Sequence, residues 1–122
     1  MDGATILVVE DDDDIRNTIS EVLETEGYNV VPAANGREAV DYVQGSSRIP
    51  AVILLDLMMP LMNGWDCLRV IRSSARCSTV PVVVVTALTR DRPAGVDALL
   101  RKPFGMTELR ELVGRFAKPA SA

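Results

Sequence analysis

The chain has 122 residues, 48% of them hydrophobic, and a formal net charge of −4 at pH 7. This length predicts one domain of ordinary size with a real hydrophobic core. The acidic balance, with a pI near 4.8, argues against direct binding to nucleic acid. The sequence contains no histidine, so a mechanism that needs an imidazole must obtain it from another molecule.

Five short apolar runs mark the predicted strands, and they cover residues 6–9, 29–34, 51–55, 82–85 and 96–100. The first, third and fourth of these runs are rich in β-branched residues and show no polar alternation. That pattern is typical of parallel strands covered by helices on both faces. The second run is less apolar and contains Pro32, which favours a position at the edge of a sheet.

Segments with helical periodicity separate these runs. The first begins after three aspartates at residues 12–14, which suit a helix cap and first turn, and it ends near Gly27. Shorter helices are predicted between Gly36 and Gly45 and after Asn63-Gly64. A last helix is indicated by four apolar residues at helical spacing, Leu109, Leu112, Val113 and Phe116. The order is therefore strand then helix, repeated five times.

The segment between the fourth and fifth strands is unusually short. Fifteen residues separate Thr86 from Lys102, and they must supply a helix and most of a strand. Residues 89–95 have no apolar periodicity and include Pro93 and Gly95. We therefore expect one turn of helix or a loop here.

The cellular location is indicated by what the sequence lacks. The first apolar run is too short for a signal peptide or a membrane span. The two cysteines, Cys67 and Cys77, have no metal-type spacing and form no disulfide framework. Such sparse cysteine use is typical of a reducing compartment. We therefore expect a cytoplasmic protein with no membrane partner.

Polar residues follow the apolar runs at the points where four predicted strands end. They are Glu10 and Asp11, Asp56, Thr86 and Lys102. Because parallel strands point the same way, residues beyond their ends gather at one edge of the sheet, where open α/β sheets bind ligands. Three carboxylates, a hydroxyl and an ammonium group at one edge suit a divalent metal and a phosphoryl group.

Each of these residues also has a purely structural interpretation. Asp56 alone could begin a turn, and Glu10 and Asp11 alone could belong to a helix cap. Brought together, however, the carboxylates repel one another unless a cation intervenes, and Mg²⁺ is the hard cation that suits them. Thr86 could be an ordinary strand-end hydroxyl, and Lys102 an ordinary surface lysine. Because a proline follows Lys102, a cis peptide could fix the direction of its ammonium group.

These motifs resemble those of two-component response-regulator receiver domains, the CheY-like superfamily. The resemblance covers about residues 4–117 of a single domain spanning 1–122 with short tails. It is carried by four stretches in the family's order, residues 8–12, 56–64, 86–87 and 102–104. It implies an α/β fold, a doubly wound (βα)5 flavodoxin-like sandwich with parallel strand order 2-1-3-4-5. In this chain the fourth helix would be shortened.

The resemblance also implies a function in a two-component system or phosphorelay. Asp56 would accept a phosphoryl group from the phosphohistidine of a sensor histidine kinase or a histidine phosphotransfer protein. Mg²⁺ would be held by Glu10, Asp11, Asp56 and the main-chain carbonyl of Met58, and Thr86 and Lys102 would contact phosphoryl oxygens. The domain would catalyse only its own phosphoryl transfer and dephosphorylation, and would signal to an unknown effector.

The sequence departs from the family in the region beyond Thr86. Leu99 stands where most relatives carry a tyrosine or phenylalanine, and the segment after Thr86 is shorter than usual. We therefore predict that the face built from the fourth helix, the fifth strand and the last helix does not mediate the usual dimer. Met58 and Leu88 stand at positions that tune hydrolysis of the phosphorylated aspartate, and neither can orient water. We expect slow self-dephosphorylation.

Two other functions compete with this interpretation. A pseudo-receiver would keep the fold but act as a phosphorylation-independent interaction domain. A phosphatase or phosphotransferase with an aspartate nucleophile would need a second carboxylate where Met58 stands.

On the predicted third helix, Arg69, Arg72 and Arg76 form a basic stripe, which we interpret as a solvated face in preference to a docking surface for an acidic partner.

Overall fold

The computed structural model describes residues 3–59, 62–87 and 94–117. Its strands are β1 (Thr5–Val9), β2 (Asn29–Ala33), β3 (Val52–Asp56), β4 (Val82–Thr86) and β5 (Ala98–Arg101). Its helices are α1 (Asp13–Thr25), α2 (Gly36–Gly45), α3 (Gly64–Ser73) and α4 (Met106–Ala117). Helix α4 corresponds to the last helix predicted from the sequence.

The five strands form one parallel sheet in the order β2-β1-β3-β4-β5. This confirms the predicted doubly wound, flavodoxin-like fold. Pro32 lies in β2, at the edge of the sheet, where its missing N–H leaves no gap in the ladder.

The core has two halves, one on each face of the sheet. Leu7 and Val9 of β1 point to the half formed with α2 and α3. Ile6 and Val8 point to the half formed with α1 and α4. Because both faces are covered, the strands are apolar at successive positions, which explains the absence of polar alternation in the sequence.

Three helices begin at side chains that accept a hydrogen bond from the first turn. Asp12 accepts from Ile15 N, Asn35 from Glu38 N and Asn63 from Asp66 N, each at 2.9 Å. The predicted role of the aspartates at the start of α1 is therefore confirmed. Gly27, after the end of α1, has a φ of 95°, a conformation that favours glycine.

The connection between β4 and β5 is described only in part. The predicted shortened helix falls mainly on residues 88–93, which lie outside the described residues. Of the remainder, residues 94–97 lead into β5, which begins two residues later than the run that predicted it. Val96 is nevertheless buried, because it packs into the core just before the strand starts.

Arg72 of α3 holds this connection in place. Its guanidinium donates to Gly95 O at 3.0 Å and to Val80 O at 2.7 Å, and it forms an ion pair with Asp97 at 3.2 Å. The same Asp97 carboxylate accepts a hydrogen bond from Val82 N at 2.8 Å. Arg72 thereby joins α3, the start of β4 and the segment that precedes β5.

The predicted solvated stripe on α3 is therefore correct only in part. Arg69 and Arg76 are exposed, as expected. Arg72 is half-buried and makes structural contacts, so its assignment to a solvated face was wrong. Arg69 and Arg72 lie one turn apart on α3, whereas Arg76 lies beyond the end of this helix at Ser73, so its predicted place on the helix was wrong. Only the tertiary structure shows that Arg72 reaches Asp97. Among the described residues, no helix is both long enough and apolar enough to cross a lipid bilayer.

Candidate functional site

Glu10 lies directly beyond the end of β1 and is fixed by its main chain and its side chain. Its N–H donates to Ala33 O at 3.0 Å, which ties it to the end of β2. Its carbonyl accepts from Arg16 Nη1 at 3.0 Å, and its Oε2 accepts from Asp12 N at 3.1 Å. Glu10 is buried, so its carboxylate is held at the sheet edge with little freedom to leave.

Asp56 is the last residue of β3 and is also buried. Its Oδ1 accepts a hydrogen bond from Met58 N at 3.0 Å. The loop beyond it closes through a hydrogen bond from Gly64 N to Leu57 O at 3.0 Å. A Cβ on Gly64 would lie 2.5 Å from Asp56 O, so glycine is required for the start of α3 to return this close to the strand end.

Lys102 approaches both carboxylates from the end of β5. Its Nζ donates to Glu10 Oε1 at 2.8 Å and lies 3.5 Å from Asp56 Oδ2. Its main-chain N–H donates to Thr86 O at 2.9 Å, which anchors the lysine to the end of β4. The Lys102–Pro103 peptide is cis, as the sequence suggested.

The remaining predicted residues lie at the same edge. Asp11 is exposed, and it offers a carboxylate oxygen within 4.8 Å of oxygens of Glu10 and Asp56. Thr86 is buried at the end of β4. Met58 exposes 60% of its surface while its N–H bonds to Asp56. The structure therefore brings together the residues that four strand ends predicted.

The charges at this edge shift the titration of two groups. The pKa of Asp56 is raised from 3.8 to about 7: burial is the largest cause, the neighbouring Glu10 carboxylate adds to it, and the Met58 hydrogen bond and Lys102 oppose the change. Burial alone would lower the pKa of Lys102, but its hydrogen bond to Glu10 and the two negative charges raise it. One ammonium group does not offset three carboxylates, so this edge favours a further cation.

A sequence model of the response regulator receiver domain matches residues 6–114. The chain belongs to this family. The receiver domain is 39% identical over 116 residues to response regulator Rre1 of a Synechocystis species, covering 89% of this chain and 49% of that protein. It is likewise 39% identical to the transcriptional regulatory protein CpxR of Escherichia coli, covering 90% of this chain and 46% of CpxR. The chain thus spans about half the length of these curated relatives.

Solved structures resemble the receiver domain over nearly their whole length. The receiver domain of sensor histidine kinase PA1611 from Pseudomonas aeruginosa has a TM-score of 0.86 and 32% identity, covering 94% of this chain and 98% of that one. That crystal structure has a magnesium ion coordinated in its active-site cleft. Chemotaxis protein CheY4 of Vibrio cholerae has a TM-score of 0.83 and 30% identity, covering 93% and 98%.

Two features of the receiver domain's site were missed by sequence reasoning. Arg16 binds the Glu10 carbonyl and forms an ion pair with Asp13, a pairing that its spacing of three residues along α1 could have indicated. Beside Lys102 lies an apolar cavity of about 430 Å³ whose apolar lining includes Ile15, Phe104 and Met106. It forms where α1 meets the start of α4, a contact that the sequence does not show.

Proposed function

We propose that this receiver domain accepts a phosphoryl group on Asp56 from a phosphohistidine of a sensor histidine kinase or a histidine phosphotransfer protein. The observation that carries the proposal is the meeting of Asp56, Glu10 and Lys102 at one buried edge of the sheet, with Lys102 Nζ 3.5 Å from Asp56 Oδ2. We infer one receiver domain across the chain, acting in the cytoplasm. Apart from its own phosphoryl transfer and dephosphorylation, it would turn over no substrate.

The carboxylate of Asp56 would act as the nucleophile. One of its oxygens attacks phosphorus in line, and the bond between phosphorus and the partner's imidazole nitrogen breaks, with its electron pair returning to that nitrogen. Lys102 is positioned to donate to a phosphoryl oxygen and to balance its charge. The Thr86 hydroxyl would follow the new negative charge, which provides a way to report phosphorylation to the region beyond β4.

The donor set fits Mg²⁺. Glu10, Asp11 and Asp56 supply carboxylate oxygens close enough to share one ion, and such oxygens are the ligands that hard divalent cations prefer. With the main-chain carbonyl of Met58, these residues would hold Mg²⁺, which supplies positive charge beside the reacting oxygens. Because burial raises the pKa of Asp56 to about 7, a nearby cation also favours the ionised form that attacks.

The histidine partner would contact the apolar cavity beside Lys102. These 122 residues contain no histidine, so the phosphohistidine must come from outside them. The cavity is lined by Ile15 and Ile19 of α1 and by Phe104, with Lys102 at its side. A helix bearing an apolar face around its phosphohistidine could cover this cavity while it presents phosphorus to Asp56.

A small phosphodonor tests the proposal without the unknown partner. Protein incubated with acetyl phosphate and Mg²⁺ should gain the mass of one phosphoryl group, measured on the intact chain. Asp56→Asn and addition of a chelator should each prevent the gain, whereas Asp41→Asn, which changes an exposed aspartate on α2, should not. Wild-type protein that stays unmodified with Mg²⁺ present would contradict the proposal and favour a phosphorylation-independent interaction domain.

A further inference from the structure

Gly36, the first residue of α2, is buried against the loop that follows Asp56. A Cβ built on Gly36 would lie 2.8 Å from Met62 O and 2.9 Å from Met62 Cβ. Cβ atoms do not normally approach other atoms this closely. Because the nearest atom belongs to the main chain of Met62, any side chain at position 36 would have to displace that loop or α2 itself.

Met62 lies in a loop whose two ends are fixed. The loop begins at Leu57, directly after Asp56, and its ends are joined by the hydrogen bond from Gly64 N to Leu57 O. Asn63, the residue after Met62, caps α3 through Asp66 N. Met62 stands two residues before Gly64, whose N–H is bonded to Leu57 O, so a displacement of Met62 bears on the residue that directly follows Asp56.

The start of α2 is equally well fixed on its other side. Asn35 Oδ1 accepts from Glu38 N, and Glu38 Oε1 accepts from Ala34 N, both at 2.9 Å. These reciprocal bonds stabilise the turn that joins β2 to α2. Ala33, at the end of β2, accepts the hydrogen bond from Glu10 N. The turn between β2 and α2 is therefore bonded to Glu10 and touches the loop that follows Asp56.

We propose that Gly36 is a positioning residue for the acidic site: by letting α2 contact the main chain of Met62, it sets the distance between the loop beyond Asp56 and the strand end that carries Glu10 and Asp11. The metal-binding part of this inference rests on the proposed function. Gly36 itself touches neither metal nor phosphoryl group and acts only through Met62.

Gly36→Ala tests the inference, with Gly45→Ala as its matched control. Gly45 ends the same helix, is exposed, and has no atom within 4 Å of a built Cβ. We expect Gly36→Ala to weaken binding of Mg²⁺ alone, measured by calorimetry, by about tenfold, since supporting contacts commonly change metal affinity by that factor. Gly45→Ala should leave the affinity unchanged.

A metal-free measurement separates positioning from general stability. In NMR spectra recorded without Mg²⁺, Gly36→Ala should shift the amide signals of residues 56–59, and Gly45→Ala should not. A role limited to packing of α2 would instead lower the urea midpoint of Gly36→Ala without moving those signals or the Mg²⁺ affinity. That result would overturn the inference.

Met62→Ala provides a second test that does not depend on the folding of Gly36→Ala. It removes the Met62 Cγ that would lie 3.0 Å from the built Cβ and keeps the main chain. We expect faster amide hydrogen exchange in residues 57–59 and weaker Mg²⁺ binding. In the double variant, Met62→Ala should relieve part of the loss of Mg²⁺ affinity that Gly36→Ala causes, so the effects of the two substitutions should not add.

The outcomes distinguish this inference from the proposed function. If wild-type protein binds Mg²⁺ and is phosphorylated, but Gly36→Ala behaves like Gly45→Ala, only the role of Gly36 is refuted. If wild-type protein fails to bind Mg²⁺, the proposed function is refuted. In that case the metal-free NMR spectra still test the role of Gly36. Amide signals of residues 56–59 that shift in Gly36→Ala alone support the positioning role, whereas signals that shift in both glycine variants or in neither contradict it.

Discussion

The acidic edge formed by β1 and β3 and the connection from β4 to β5 are stabilised in different ways. At the acidic edge, Lys102 forms ion pairs with Glu10 and Asp56. These are the charged groups that would act on a phosphoryl group. In the connection, Arg72 donates hydrogen bonds to main-chain carbonyls and forms an ion pair with Asp97. None of these groups takes part in the proposed phosphoryl transfer. The acidic edge and the connection therefore depend on separate sets of side-chain contacts.

The sequence shows the same division. Every predicted site residue fits the receiver pattern, whereas Leu99 and the short segment after Thr86 depart from it. A change in one region should therefore leave the other largely unaffected, and the following tests ask whether it does.

Lys102→Ala should have the largest effect on chemistry. It removes the ammonium group that lies 3.5 Å from Asp56 Oδ2, so phosphorylation by a small phosphodonor should slow by about 100-fold. Intact-mass spectrometry over time measures the rate. Arg101→Ala removes an exposed charge from the preceding residue and should leave the rate unchanged. Wild-type kinetics in Lys102→Ala would show that Lys102 has no part in the transfer.

Arg72→Ala should affect stability and not chemistry. The change removes the bonds to Gly95 O and Val80 O and leaves Asp97 without this cation, so the free energy of unfolding should fall by about 2–3 kcal/mol. Urea denaturation measures it. Arg69→Ala breaks an exposed pair with Asp66 and should cost less than about 0.5 kcal/mol. A slower phosphorylation of folded Arg72→Ala would show that the two regions are coupled.

The stability of metal-free protein should depend on pH through Asp56. Its pKa is raised from an ordinary 3.8 to about 7, so between these values the folded chain retains a proton that the unfolded chain releases. Stability from this group is therefore present below about pH 4 and is lost as the pH rises through about 7. At about 1.4 kcal/mol per pKa unit, the loss should be at most about 4 kcal/mol.

Urea denaturation in the presence of a chelator measures this dependence. Asp56→Asn should flatten it, and Mg²⁺ should restore stability to wild-type protein at pH 8 by mass action. A free energy of unfolding that rises between about pH 4 and pH 7 in metal-free wild-type protein would contradict this prediction.

Self-dephosphorylation should be slow, because the exposed Met58 side chain cannot orient an attacking water. Met58→Asn supplies an amide at this position and should speed loss of the phosphoryl group several-fold. Intact-mass spectrometry after removal of the phosphodonor measures this loss over time. Met58→Leu, which remains apolar, should match wild type. Rapid loss in wild-type protein without a phosphatase would refute this prediction.

The smallest expected effect concerns assembly. Since Leu99 and the short segment after Thr86 alter the face formed with β5 and α4, phosphorylation should not produce a dimer through it. Light scattering should give the same molar mass before and after phosphorylation. A symmetric dimer formed through β5 and α4 would show that the departures in sequence do not disable this face.

The fold and most of the site could be predicted from the sequence because the strands are short, apolar and followed by polar residues. Parallel pairing alone then brings Glu10, Asp56 and Lys102 to one edge. The aspartates at residues 12–14 likewise marked the start of α1, since capping depends only on neighbouring residues.

Contacts between separate elements could not be predicted in this way. The approach of Gly36 to Met62 depends on how α2 lies beside the loop after β3. The reach of Arg72 to Asp97 depends on the distance between α3 and β5. Neither distance follows from periodicity, so Gly36 looked like an ordinary helix start and Arg72 like part of a solvated stripe.

The two edges of the sheet have a consequence for solubility at high concentration. Pro32 offers no N–H from β2, and β5 has only four residues and ends at the exposed Arg101. Neither edge presents a long, continuous row of backbone donors and acceptors to a second copy of the chain. Strand addition between molecules is therefore disfavoured, and crowded molecules of this domain should resist amyloid-like aggregation.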